Sequence, residues 1–341
     1  MIDINHLTES GFRGNILIVK NGDVLCEYSS GYADLPNQIP NTADTRFATA
    51  SLGKTFVAAG ILKLIECGKL DFNYTLGNIL DIDLNLIDPN VTVEQLLTHT
   101  SGVPDYFDET VMDDYEKLWT DYPSYKIRKN SDMFPLFIDK PMMYPRGERF
   151  QYNNTGYVLL ASVIEKISGM AFDAYLKENI FDICDMRSTG YFELDRLPSK
   201  CAHNYIYCDN MKDYRTNIYS VGAKGTGDGG AFVTARDLYN FWKGLLDHKI
   251  ISEDMLSKML SKQSGDGNDP EEGFYGLGVW IIDNPNGKDY AYMQGCDPGV
   301  SAIAEYNPDK DMISVILSNF GDNVWALMRK IRKEYYQGLI T

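Results

Sequence analysis

A chain of 341 residues with a net charge of −16 is long enough for one large domain, or two interleaved ones, around a sizeable core. Its composition, 44% hydrophobic and 23% charged, is that of an ordinary globular protein, and the negative excess argues against nucleic acid and anionic membrane surfaces as partners. No apolar run approaches the roughly 18 residues of a membrane span. The six cysteines form no C-x-x-C pair and read as free thiols of a reducing compartment.

The opening segment, "MIDINHLTESGFRGN", has neither a basic start nor an apolar core, so no signal peptide is read and the cytoplasm is the expected compartment. "GNILIVKNGDVLCEYSSGYAD" then gives two alternating strands around Asn21-Gly22, a dipeptide suited to a tight hairpin turn. In "FATASLGKTF", residues 47–56, a helix begins: Phe56, Val57, Ile61, Leu62, Leu64 and Ile65 keep its period up to Cys67-Gly68. Ser51 and Lys54, three apart, share one face in its first turn, where free backbone N–H groups favour negative charge. An amine placed there can serve as base to a nucleophilic hydroxyl. The same spacing suits a Ser cap followed by a surface Lys, so the rest of the chain must decide.

From about 71 to 213 short helical patterns dominate, separated by loops rich in Asp, Asn, Pro and Tyr. "TVEQLLTH" carries a capping box, Thr92 with Gln95, and His99 after it reads as a structural group at a helix end. "DIDLN" starts like a calcium loop but lacks the next Gly, and Thr92 stands where the closing Glu belongs. The four histidines (His6, His99, His203, His248) show no metal spacing, and neither metal nor other cofactor is expected. "FQYNNTGY" places Tyr152 two residues before Asn154, entering a helix closed by Gly169. A phenol held near an ammonium can lose its proton.

"GTGDGG" matches the glycine spacing of a dinucleotide loop at Gly225, Gly227 and Gly230, but no firm strand precedes it. It reads as a tight turn leading to a helix capped by Thr234. After about 220, "GFYGLGVWII", "KDYAYM", "VSAIAEY" and "MISVILSN" read as strands, the last two joined at "NPDKD", and "NVWALMRKIRKEYYQGLI" as an amphipathic helix. The expected fold is α/β (α+β): residues 1–75 and 220–341 build an antiparallel sheet flanked by helices, and 76–219 form a mostly helical inserted domain.

"ASLGK", "VTVEQLLTHTSGVPDY", "PRGERFQYNNTGYVLLASVIEKISG", "NIFDICDMRSTGY", "GDGGAFVTARDLYNF", "YGLGVW" and "GCDPGVSA" occur in one order. Together they resemble the serine β-lactamase and penicillin-binding protein superfamily in its class C-like branch, which also holds esterases, DD-peptidases and D-aminopeptidases. The resemblance implies Ser51 as the acylated nucleophile, with Lys54 and Tyr152 relaying its proton and Lys54 keeping the phenol acidic. It implies that Asn154 hydrogen-bonds the substrate. The family's third motif falls on Met293, Gln294 and Gly295, with Met293 where a Lys or His is usual. The oxyanion hole would use the backbone N–H groups of Ser51 and Cys296. A thioether is only a weak acceptor, and Asp297 adds negative charge, so recognition of penicillin-type carboxylates is not expected. The implied reaction is hydrolysis of a small ester, amide or peptide through an acyl-serine. The competing readings are a catalytically impaired protein of the same fold that keeps its pocket for binding alone, and a true β-lactamase or DD-peptidase.

Overall fold

The computed structural model describes residues 11–208, 213–265 and 273–336. Residues 1–10, which include His6, and 337–341, which include the last part of the expected C-terminal helix, lie outside the described residues. The hairpin forms where Asn21-Gly22 places it: β1 (Gly14–Lys20) and β2 (Asp23–Ser30) flank a turn with φ of 51° at Asn21 and 82° at Gly22. Two successive left-handed residues match the right-handed twist of paired strands.

The C-terminal strands are β3 (Phe274–Tyr275), β4 (Trp280–Ile282), β5 (Tyr290–Asp297), β6 (Val300–Asn307) and β7 (Met312–Ser318). With the hairpin they make one antiparallel sheet in the order β2-β1-β7-β6-β5-β4-β3. "GFYGLGVWII" is therefore two short strands rather than one. The break falls at Gly278, whose φ is +81° and where a Cβ would run into Ala58 of the first long helix.

Side chains alternate across this sheet with the strand period of two. Ile16, Ile18, Ile303 and Ile316 meet the C-terminal helix, whose inner face is Val324, Leu327, Met328 and Ile331. Leu17, Val19, Ala302, Ala304, Val315 and Leu317 face the other way. There they join α1 (Lys54–Glu66), α2 (Val93–Leu97), α3 (Asn154–Ser168) and α4 (Ala235–Leu246) in one apolar cluster. The C-terminal helix, α5, spans Val324–Ile331. Thr92 and Gln95 close the capping box at α2, and Gly169 ends α3 at φ 71°. The helical stretch 76–219 thus shares its core with the sheet, and it also holds a small hairpin, Tyr205–Tyr207 with Tyr214–Thr216. No helix among the described residues is long and apolar enough to cross a membrane.

Candidate active site

Ser51 sits in a 3₁₀ turn, Ala50–Gly53, that runs directly into α1, rather than in the first turn of the α-helix itself. Ala50 just before it has φ 47°, a conformation L side chains rarely adopt. Two glycines allow the neighbouring chain to hold that turn. A Cβ at Gly229 would strike Ala50 O, and one at Gly295 would strike Thr49 O and lie 2.7 Å from Ser51 N. The strained turn is clamped between the glycine run 225–230 and strand β5.

Lys54 is 2% exposed and gives one N–H each to Ser51 Oγ, Asn154 Oδ1 and the carbonyl of Asp228, all at 2.8 Å. An ammonium has three donors, and all are used. The run "GTGDGG" therefore supplies an acceptor to the lysine. The Asp228 carboxylate in turn accepts from Tyr106 and Thr226.

Asn154 opens α3, and the buried Asp105 accepts its N–H at 2.9 Å and that of Thr155 at 3.0 Å. A carboxylate suits a helix N-terminus, yet burial pushes Asp105 up to about 6 against those two bonds. With its oxygen on Lys54, the Asn154 amide turns its NH₂ to Phe107 O at 3.2 Å and Glu109 Oε1 at 3.3 Å. Both ends of the amide are engaged by the protein.

Tyr152 and Ser51 line one cavity, and the phenol's pKa lies well above its ordinary value. Loss of water around the ring is the main cause, followed by the nearby Glu109 carboxylate. This corrects the expectation of a phenol made acidic by Lys54. The ammonium lies 5.0 Å from the centroid of the Tyr152 ring and directs its N–H groups elsewhere. Trp280 stacks on the same ring at 5.8 Å and 15°.

The third-motif residues divide between the two faces of β5. Met293 is 1% exposed in the main apolar cluster, on the face that Gly295 turns to the Ser51 turn. It lines neither of the cavities described next, so the structure does not bring it to the substrate side. Gln294 and Cys296, on the other face, do line them. Strand β4 pairs with β5 only over Tyr290–Tyr292, and residues 293–297 continue past it beside Ser51.

Two cavities, of about 600 and 510 Å³, meet at Ser51, Glu109 and Cys296. Tyr106, Phe107, Tyr115, Trp119 and Phe192 give the larger its aromatic wall, with Asp228 and Asp297 among its polar groups. Asp297 is pushed up to about 7 by loss of water, then by Asp228, while Lys54 pulls it down. The smaller is lined by Phe150, Tyr152, Trp280, Gln294 and Trp325 among others. Sequence reasoning missed Glu109, Asp228 and Trp325, which reach the site from three separate segments. Among the described residues no group of three or more His, Cys, Asp or Glu is arranged to hold a metal ion.

Comparison with known proteins identifies the fold and the family. The family profile described as Beta-lactamase matches residues 7–333. Penicillin-binding protein 4* of Bacillus subtilis is 30% identical over 327 residues, which cover 90% of this chain and 68% of that protein. A solved structure of a penicillin binding protein from Bacillus halodurans is 38% identical, with a TM-score of 0.92 over 97% of this chain and 100% of that one. The D-amino acid amidase of Ochrobactrum anthropi SV3, at 20% identity and a TM-score of 0.79 over 98% of this chain and 97% of its own, shares the fold. With an antiparallel sheet, flanking helices and a match along nearly its whole length, the chain belongs to the beta-lactamase family, whose members are generally serine hydrolases related to the penicillin-binding proteins.

Proposed function

We propose that the protein is a serine hydrolase that moves an acyl group from a neutral ester or amide to Ser51 Oγ and then to water. The observation that carries this reading is the set of bonds around Lys54. Asn154 Oδ1 and Asp228 O can only accept. An uncharged amine keeps its two N–H groups on those oxygens and aims its lone pair at Ser51 Oγ, 2.8 Å away. Lys54 then takes the hydroxyl proton as the oxygen attacks the carbonyl carbon. Tyr152, kept protonated by burial, hands a proton to the leaving group, and the proton that Lys54 took restores the phenol once the acyl-serine has formed. Negative charge gathering on the carbonyl oxygen is met by the N–H groups of Ser51 and Cys296. A water repeats the sequence in reverse to release the acid.

Neutral substrates are favoured by charge. Arg215 and Lys224 line the larger cavity, each paired with a carboxylate, whereas no Lys or Arg lines the smaller among the described residues and Glu109 borders it. A substrate carboxylate there meets like charge, which raises its cost of binding. A second reading, acylation by β-lactams, draws on the printed names of the 30% and 38% identical relatives.

One experiment separates these. Intact mass after exposure to a fluorophosphonate should rise by a single label, mapped to Ser51 and lost in Ser51→Ala. Labelling that survives Ser51→Ala overturns the assignment. A fluorescent penicillin in parallel should leave the protein unlabelled, and a stoichiometric adduct would favour the second reading.

A further inference from the structure

The direction of the Asn154 amide is chosen by one short segment, residues 105–109. Its NH₂ group points to three acceptors there: Phe107 O at 3.2 Å, Glu109 Oε1 at 3.3 Å and Asp105 Oδ2 at 3.4 Å. Turned over, the amide would set its oxygen against those acceptors and its NH₂ against the Lys54 ammonium. Only one orientation serves, and it sends Oδ1 to the lysine that lies on Ser51. At the head of the segment, Asp105 is 7% exposed and accepts four bonds from two consecutive residues. Besides the amide, Oδ2 takes the Asn154 N–H at 2.9 Å, and Oδ1 takes the Thr155 N–H at 3.0 Å and hydroxyl at 3.1 Å. The Thr155 oxygen accepts the Tyr106 N–H at 3.0 Å in return. An anion at the first turn of α3 thus anchors both the main chain and the side chain of Asn154.

We propose that Asp105 is a positioning residue: as a carboxylate it aims the Asn154 amide at Lys54 and so holds the lysine on Ser51, and a proton on Asp105 releases that hold. The inference rests on the hydrolase reading above and adds a control of its base by pH. A carboxyl that gains a proton turns one acceptor oxygen into a donor facing N–H groups. Loss of water pushes this carboxyl up to about 6, while the Asn154 and Thr155 N–H groups, Lys54 and the Thr155 hydroxyl pull it down. Three phenols also feel its charge, Tyr115, Tyr144 and Tyr152, and all are pushed up chiefly by burial, so they stay protonated near neutral pH. Lys140 donates to the main-chain oxygen of Asp105 at 3.4 Å, and Glu109 shares the amide NH₂.

The test follows fluorophosphonate labelling rates of the wild type and of Asp105→Asn between pH 5 and pH 8. Asn at 105 has the shape of the protonated carboxyl and has no such proton to lose. Dividing the two rates cancels every other group that titrates alike in both proteins. Near pH 8 the wild type should label roughly ten- to a hundredfold faster, the scale of hydrogen bonds to a charged acceptor. The quotient should fall several-fold by pH 5 and reach half its plateau at a pH near 6. A quotient that stays constant with pH would reduce Asp105 to a structural residue and overturn the proposal. So would a quotient of one at pH 8. Nuclear magnetic resonance on the wild type decides the matter even where the variant fails to fold. The main-chain amides of Asn154 and Thr155 and the Asn154 side-chain NH₂ should shift together, with a midpoint near pH 6. Signals that hold still between pH 5 and pH 7 would overturn the proposal. Shifting signals in a protein that never labels would leave the hold of Asp105 on Asn154 standing and remove the hydrolase reading. Labelling at Ser51 with still signals would do the reverse.

Discussion

His99 and Tyr152 lie with their ring centroids 4.5 Å apart, and the same imidazole accepts the Asn153 N–H on Nδ1 at 3.0 Å. One buried ring therefore fixes the segment that carries both Tyr152 and Asn154. Burial, then Lys54, holds its pKa well below the usual value, in keeping with a neutral acceptor. His99→Phe retains an aromatic ring and leaves the Asn153 N–H without its partner. It should cost about 1–3 kcal/mol in urea unfolding and lower kcat. The unfolded chain protonates this group near 6.5 while the native protein does not, so the unfolded state binds more protons. This term removes stability as pH falls below about 6.5, and the Phe variant should lack it.

Lys54 and Tyr152 act on the same hydroxyl. Lys54→Met or Tyr152→Phe should each slow acylation at least roughly a hundredfold, the lower scale for a positioned proton-transfer group. The double variant should lose little more than the worse single one, since the residues form one unit. Pre-steady-state ester kinetics would measure this, and multiplicative losses would contradict the shared relay. Lys54→Met should also destabilise the fold by about 1–3 kcal/mol, because it strands the buried acceptors Asn154 Oδ1 and Asp228 O.

Gly295→Ala tests the contact between β5 and the nucleophile turn. The added methyl would meet the backbone at Thr49, Ser51 and Leu52, which has no flexible side chain to yield. Parting strand from turn withdraws a donor from the oxyanion, and kcat should fall by about 10²–10³-fold. Circular dichroism should remain near wild type. Unchanged kcat would mean that the strand edge has no part in the reaction.

Asp297 gives a pH dependence of opposite sign to that of His99. Its folded carboxyl keeps a proton up to about 7, whereas the unfolded group releases it near 3.8. Between these values the native state binds more protons, so this term lowers stability as pH rises. Asp297→Asn removes it, and the variant should gain on the wild type between pH 5 and pH 8 in urea midpoint. Equal gaps at the two pH values would place the carboxyl in water.

Local chemistry made much of this legible. The Asn21-Gly22 turn, the Thr92 and Gln95 box, and the three-residue step from Ser51 to Lys54 each act within a few positions, and each is found where the pattern puts it. Partners chosen by tertiary packing were not legible. Asp228 contributes a main-chain oxygen, for which no side-chain pattern exists, and Trp325 arrives on a helix 31 residues beyond Gln294. The phenol of Tyr152 was misread because proximity to a cation is visible in a motif, while burial is a property of everything around it. Met293 falls in the strand that "KDYAYM" marks, and strand alternation carries its side chain into the core.

The neighbours β1 and β7 lie at opposite ends of the chain, with Asn15 paired to Leu317. During synthesis the N-terminal hairpin leaves the ribosome with one long side unpaired, and its partner follows about 15–60 s later at 5–20 residues per second. Through that interval Leu17 and Val19 have no sheet to complete, and an open strand edge can join another nascent chain. Closure of the sheet is thus a late event with a large loop to close, and yield on expression should respond to chaperone supply more than native stability alone would suggest.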